Sequence, residues 1–251
     1  MTSLATLNAA SAGDFATALD GIFERAPWVA AAAAAARPFA NAASLHAALM
    51  RALRDAGEPA YRAFLNGHEP LVAGPLPESL TASSRHEQGD LKLGALIGTG
   101  ALAALNARYH QRFGFSFVIA LRRHTAANVL RELHRRLAAD PAAELQSALA
   151  EVGHVTRYRL LARLGEAPSP GSIVAELARP SPNGSVLLLA REGQVIARHA
   201  LAPGSHGPVS LWQEAPLRLG HYRLTLGERE YDIWPEASEG ANLVSLSASD
   251  D

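Results

Sequence analysis

Three places in the first two-thirds of the chain put polar side chains where an apolar core would not want them. Ser84, Glu87 and Gln88 stand at i, i+3 and i+4, so on a helix they share one face, with Thr81 placed to cap its start. A hydroxyl, a carboxylate and an amide on one face can hold a polar ligand; the same face can also be an ordinary solvated one. Arg159 falls on the stripe of Leu145, Leu149 and Val152. A guanidinium there points inward to a carboxylate of the protein or of a ligand, unless its stem carries the charge out to water. His68 lies in Asn-Gly-His-Glu-Pro-Leu, which breaks helical pattern and sets the imidazole on a turn, able to give or take a proton near neutrality. With ten histidines in the chain, a plain surface role is the competing reading.

Other chemistries lack their residues. There is no cysteine, hence no disulfide, thiolate nucleophile or thiolate metal site. No His-x-x-x-His, Gly-rich phosphate loop or Gly-x-Ser-x-Gly elbow occurs, and no metal site is expected. Lys plus Arg number 23 against 24 Asp plus Glu, a net charge of -1 that argues against binding nucleic acid or an anionic membrane. The alanine run 30–36 is far short of the roughly 20 apolar residues of a membrane span. The opening residues carry neither the basic start nor the apolar block of a secretory signal, and the closing Ser-Ala-Ser-Asp-Asp is no peroxisomal tripeptide, so a cytoplasmic protein is expected.

The elements that must position these residues follow from periodicity. Residues 1–164 read as helices. Phe15, Leu19, Ile22 and Phe23 form one stripe with Asp14 at its start; Ser44 is placed to cap a helix carrying Leu45, Leu49 and Leu53. Another helix runs through Val129, Leu130, Leu133 and Leu137. The last opens at Asp140-Pro141, where Asp accepts first-turn N–H groups and Pro has its φ already set, and carries Leu145, Leu149, Val152 and Leu160. Residues 165–171 mix Gly, Pro and Ser without period and read as a linker. From 172 to 251, runs such as SVLLLA, QVIARHAL, VSLW, HYRLTL and YDIW, parted by Pro-Asn-Gly and Arg-Glu-Gly, predict a small antiparallel β module. The fold class is an all-α bundle followed by a small all-β, sandwich-like domain.

As a set, the stretches Gly21-Ile22-Phe23-Glu24, Pro27-Trp28-Val29, Arg37-Pro38-Phe39, the His68 turn, Leu80-Thr81 leading to Ser84-x-x-Glu87-Gln88, Leu105-Asn106 with Tyr109, Phe113-Gly114-Phe115-x-Phe117 and Arg159-Leu160 are ordered and spaced in a distinctive way. From about Leu4 to Leu164 the chain resembles the 2-oxo-4-hydroxy-4-carboxy-5-ureidoimidazoline (OHCU) decarboxylase family, which makes S-allantoin in urate breakdown. The resemblance implies an all-α bundle, commonly a homodimer, needing neither metal nor organic cofactor. It implies His68 as the acid/base and Glu87 as its helper, with Glu87 raising the imidazole pKa. Ser84 and Gln88 would bind the polar edge of a small-molecule substrate, Arg159 an anionic or carbonyl group. The backbone of Phe117, Val118, Ile119, Ala120 and Leu121 would supply further hydrogen bonds.

Two departures from the family pattern bear on the site. The family's His-Pro is here His68-Glu69-Pro70, which brings an extra acid to the turn, and Ser116 stands where the family has a proline, removing a φ constraint from the following loop. The β module more faintly resembles the transthyretin-like 5-hydroxyisourate hydrolases, through Ser172-Ile173-Val174-Ala175-Glu176 and Gly220-His221-Tyr222-Arg223-Leu224. Ile173 falls on that family's catalytic histidine and its closing Tyr-Arg-Gly-Ser is missing, so a hydrolase-inactive module is expected, with His199, His206 and His221 ordinary exposed residues. The alternatives are a catalytically silent helical binding or scaffold protein, and a bifunctional protein that retains the hydrolase.

Overall fold

Helix starts follow their caps closely in the computed structural model, which describes residues 2–181 and 185–246. Helix α1 is Leu4–Ala9 and α2 Ala12–Ala18. The cap of α2 is Ser11, whose hydroxyl accepts the N–H of Asp14, so Asp14 is a first-turn residue and not the cap. The helix also stops at Ala18, short of the Ile22 and Phe23 assigned to its stripe; all four apolar residues are nonetheless buried. Gly21, at φ 80°, and Arg25, at φ 58°, fold the chain back on itself just beyond it.

Helix α3 is Pro27–Ala33, α4 Ala42–Asp55 and α5 Glu58–Asn66. The cap of α4 is Asn41, three residues before Ser44: Asn41 Oδ1 accepts the Ser44 N–H at 2.8 Å while Ser44 Oγ accepts the Asn41 N–H at 3.2 Å. Serine was the expected cap, but either residue type can serve, and here they act reciprocally. Helix α6 is Ala82–Leu91, capped by Thr81 as predicted, and α7 is Thr99–Phe113, closed by Gly114 at φ 72°. Helix α8 is Ala126–Leu137 and α9 Pro141–Leu164. Asp140 Oδ1 accepts from Ala142 N and Ala143 N at 2.9 and 3.2 Å, as its position before a proline predicts.

The strands begin at Gly171, inside the stretch read as linker. Strands β1 (Gly171–Leu177), β4 (Gly207–Glu214) and β7 (Gly240–Leu246) form one sheet in the order β4-β1-β7, with β1 antiparallel to β4 and parallel to β7. Strands β2 (Val186–Arg191), β3 (Gln194–Ala200), β5 (Tyr222–Leu226) and β6 (Arg229–Ile233) form a second, antiparallel sheet in the order β3-β2-β5-β6. Ile173, Ala175, Leu187, Leu189, Tyr222 and Leu224 belong to one core. This is the helical part followed by two β-sheets that the periodicities predict. Strand β7, which carries Asn242 and Ser245 among its apolar residues, was not anticipated, and its parallel pairing with β1 departs from the antiparallel module expected. The Pro182-Asn183-Gly184 turn and residues 247–251 lie outside the described residues.

By contacts the chain divides into two compact units, Met1–Leu121 with Leu130–Ala167, and Arg122–Val129 with Pro168–Asp251. Within the second, Thr125 N donates to Leu219 O at 2.9 Å. Two of its histidines are not the exposed residues expected. His199 is half-buried with Nε2 on the Leu211 carbonyl at 2.7 Å; His221 meets Asp232 at 2.7 Å and stacks on Trp234 with ring centroids 4.9 Å apart. Both partners lie on other strands, where residue order along the chain does not reveal them. Among the described residues no helix is long and apolar enough to cross a membrane.

Candidate active site

The site lies in the first unit and is assembled from four segments distant in sequence. His68 sits in the bend just after α5, its backbone N–H on Leu65 O at 3.2 Å. Its ring stands edge-on to Phe64, centroids 4.7 Å apart, and Nδ1 lies 3.0 Å from the Phe64 carbonyl. A carbonyl only accepts, so Nδ1 carries hydrogen and Nε2 is left for chemistry. Asn106 of α7 holds the next stretch in place, Nδ2 donating to Leu71 O at 2.8 Å.

Helix α6 presents Ser84, Glu87 and Gln88 on one face, and Arg159 of α9 reaches them. Its Nη2 is 3.0 Å from Glu87 Oε2 and 3.1 Å from Ser84 Oγ, and its side chain is only 9% exposed, so the inward reading holds over the solvent-seeking one. Gln88 Oε1 accepts the Val72 N–H at 3.3 Å, which leaves its amide N–H groups as what it can offer a ligand.

The fourth contributor is Glu24, to which no role was given from the sequence. It sits in the turn after α2 and takes a second side of the same guanidinium, Oε2 being 3.4 Å from Arg159 Nη1. It also accepts the hydroxyls of Thr81 and Ser84. Burial pushes its carboxyl up, but the Thr81 hydroxyl, the Arg159 charge and the Ser84 hydroxyl outweigh this and hold it below the usual carboxylate range.

This arrangement corrects the expected electrostatics of His68. Glu87 is held by Arg159, and the carboxylate whose charge acts on the imidazole is Glu24. Burial dominates, however, and Arg159 adds to it. Together they hold the His68 pKa below its usual value against the upward pull of Glu24 and of the Phe64 and Leu65 carbonyls.

His68, Ser84, Glu87, Gln88 and Arg159 all line one cavity of about 50 Å³. That is room for one or two waters, so a ligand must part contacts the side chains now make with one another. Glu69 also lines it, and its carboxylate is paired with Arg25 Nη2 at 3.2 Å. Phe117, Val118, Ile119 and Leu121 contribute to the wall; Ala120 does not. Ala120 N–H is committed to Glu151 Oε2 at 2.8 Å and Val118 C=O to Arg136 Nη1 at 2.9 Å, so part of the backbone expected to face substrate is spent on the protein. Arg136 is itself buried against Glu144, which also accepts the Tyr109 hydroxyl. Among the described residues no cluster of three His, Asp or Glu side chains is arranged to hold a metal ion.

Comparisons with known proteins bear on the same region. Residues 8–161 match the family model described as OHCU decarboxylase. The chain is 36% identical over 165 residues to 2-oxo-4-hydroxy-4-carboxy-5-ureidoimidazoline decarboxylase of Bos taurus, covering 64% of this chain and 97% of the bovine one. It is 37% identical over 165 residues to the Mus musculus protein of that name, covering 63% and 91%. A solved structure described as (S)-allantoin synthase aligns with 97% of this chain and 96% of its own at a TM-score of 0.52 and 18% identity, which shows a shared fold.

Proposed function

The chain belongs to the OHCU decarboxylase family, an enzyme family of carboxy-lyases, and from that premise we propose that it decarboxylates 2-oxo-4-hydroxy-4-carboxy-5-ureidoimidazoline to S-allantoin. The observation that carries the reading is the convergence of His68, Ser84, Glu87 and Arg159 on one cavity.

The chemistry asks little more of a protein. When the bond to the carboxylate breaks, its electron pair moves into the ring bond toward the neighbouring imine carbon, and the imine pair moves onto nitrogen. The substrate is therefore its own electron sink, and the step needs no separate carrier of electrons. The nitrogen takes up a proton and a second must reach the former imine carbon from one face, while the hydroxyl on the carbon that lost CO2 gives up its proton to become the carbonyl of allantoin. Starting from the carboxylate anion, one proton is consumed in all.

His68 Nε2 is the group to deliver that proton, and acid catalysis of this kind contributes roughly 10²–10⁴-fold. The substrate anion brings a negative charge beside an imidazole that burial otherwise keeps neutral, so binding itself favours the protonated ring. Arg159 receives the substrate's anionic or carbonyl group, exchanging a contact with Glu87 for one with the ligand. Gln88 donates N–H groups to a carbonyl edge.

A homodimer is part of this reading, which light scattering on purified protein tests. So is the absence of hydroxyisourate hydrolysis, because the Ile173 side chain is fully buried in the β core. Adding the full chain to 5-hydroxyisourate should leave its decay rate unchanged. For the main activity, substrate made from urate and labelled in its carboxyl carbon should release labelled CO2 at a rate proportional to enzyme. Release at the spontaneous rate at every enzyme concentration overturns the proposal.

A further inference from the structure

Ser84 Oγ lies 3.0 and 2.9 Å from the two oxygens of Glu24 and 3.1 Å from Arg159 Nη2. The chemistry of these neighbours leaves no freedom in how the hydroxyl is used. A guanidinium only donates, so it takes a lone pair of Ser84; a carboxylate only accepts, so it takes the proton. What remains for a ligand is the second lone pair. Ser84 lines the cavity, whereas Glu24 does not.

We infer that Glu24 is a positioning residue that draws the one hydroxyl proton of Ser84 away from the cavity, so that Ser84 meets the substrate as an acceptor and the site reads an N–H group there. The inference rests on the function proposed above and deepens it. The substrate's ring and ureido arm carry N–H donors, carbonyl acceptors and a carboxylate. An acceptor-only hydroxyl repels the last two and so fixes which way round the molecule lies, a choice that leaves a buried polar group unpaired when made wrongly. Glu24 is well placed to hold this setting during turnover. Of the two carboxylates on Arg159, Glu87 faces the cavity and can be replaced by a ligand anion; Glu24 cannot, so the guanidinium keeps one anchor throughout.

The sign of a single kinetic effect separates this role from a purely electrostatic one. Were Glu24 only a negative charge near an anionic substrate, Glu24→Ala would lower KM. On the present account it frees the Ser84 proton to turn into the cavity, and KM rises about tenfold or more, whatever the loss of its charge from beside His68 does to kcat. Ser84→Ala raises KM by a similar factor, and the double variant is no worse than the worse single one, because both remove the same contact. Glu24→Asp keeps the charge but falls short of Ser84 and raises KM in the same direction, which decides the matter if Glu24→Ala fails to fold by circular dichroism. A lowered or unchanged KM in both Glu24 variants, or effects that multiply in the double variant, overturns the inference while leaving the proposed reaction intact. Absence of turnover by the wild type overturns both.

Discussion

The Nδ1 atom of His68 faces the carbonyl of Phe64 at 3.0 Å, and this contact fixes the tautomer of the ring on which the proposed chemistry depends. In the free enzyme the opposite nitrogen is unprotonated at neutral pH, because burial holds the imidazole below its usual range. A donor must be charged, so kcat/KM, which reports the free enzyme, should fall as pH rises through a midpoint below about 6.5. The midpoint for kcat, which reports the complex, should lie higher, since bound anion stabilises the imidazolium. Coincident midpoints, or kcat/KM rising above neutrality, would contradict this.

Arg159 engages Glu87 through Nε and Nη2, Ser84 through Nη2 and Glu24 through Nη1 of one planar fork. A lysine offers a single point charge and cannot span them. Arg159→Lys should raise KM by about 10–100-fold, worth roughly 1.4–3 kcal/mol, with the charge retained. Steady-state kinetics check it; a KM within twofold of wild type would show that charge alone is what the site uses.

The site residues were legible in the sequence to different degrees, for physical reasons. Ser84, Glu87 and Gln88 sit on one helix, where period alone predicts a shared face, and Arg159 was betrayed by a charge on an apolar stripe. His68 showed as a break in pattern. Glu24 lies beyond the end of α2, in a turn set by Gly21 and by the left-handed backbone of Arg25. A residue in such a turn has no period, so its distance from α6 and α9 is decided by tertiary folding. It was in view only as part of the family-like stretch Gly21–Glu24. The electrostatics of His68 was misjudged for the same reason, since the choice between Glu24 and Glu87 as its partner is a matter of packing. In the β unit, alternating runs marked five strands, β2 to β6, but β1 and β7, which pair with each other in parallel, were not among them.

Arg136 and Glu144 form a buried pair at 2.6 Å, with the guanidinium 4.6 Å over the Phe117 ring and bonded to Val118 O. Removing one partner leaves the other charged and without its counter-ion in the core. Glu144→Ala should therefore cost about 3–5 kcal/mol in urea unfolding, whereas replacing both by apolar residues of similar size should recover much of it. A loss under about 1 kcal/mol would mean that the pair contributes little more than an exposed one.

His46, on α4, is half-buried against Thr156, and burial foremost, helped by the charges of Arg157 and His154, pushes its pKa down to about 4. A base depressed in the folded state binds its proton more readily when unfolded. Its contribution to stability is thus fully present above about pH 6.5 and is lost as pH falls from there toward 4, on the order of 2–3 kcal/mol. Thermal unfolding across that window should show a steeper acid decline in wild type than in His46→Gln. Parallel curves would contradict the assignment.

In the proposed reaction the His68 imidazole hands a proton to one face of the ring after CO2 has left. Circular dichroism of substrate generated from urate tests it most directly. Rapid growth of the S-allantoin signal is expected with wild type, and with a folded His68→Asn variant only the slow decay to racemic, optically silent product that occurs without enzyme. An S-allantoin signal growing as fast with His68→Asn as with wild type would contradict it.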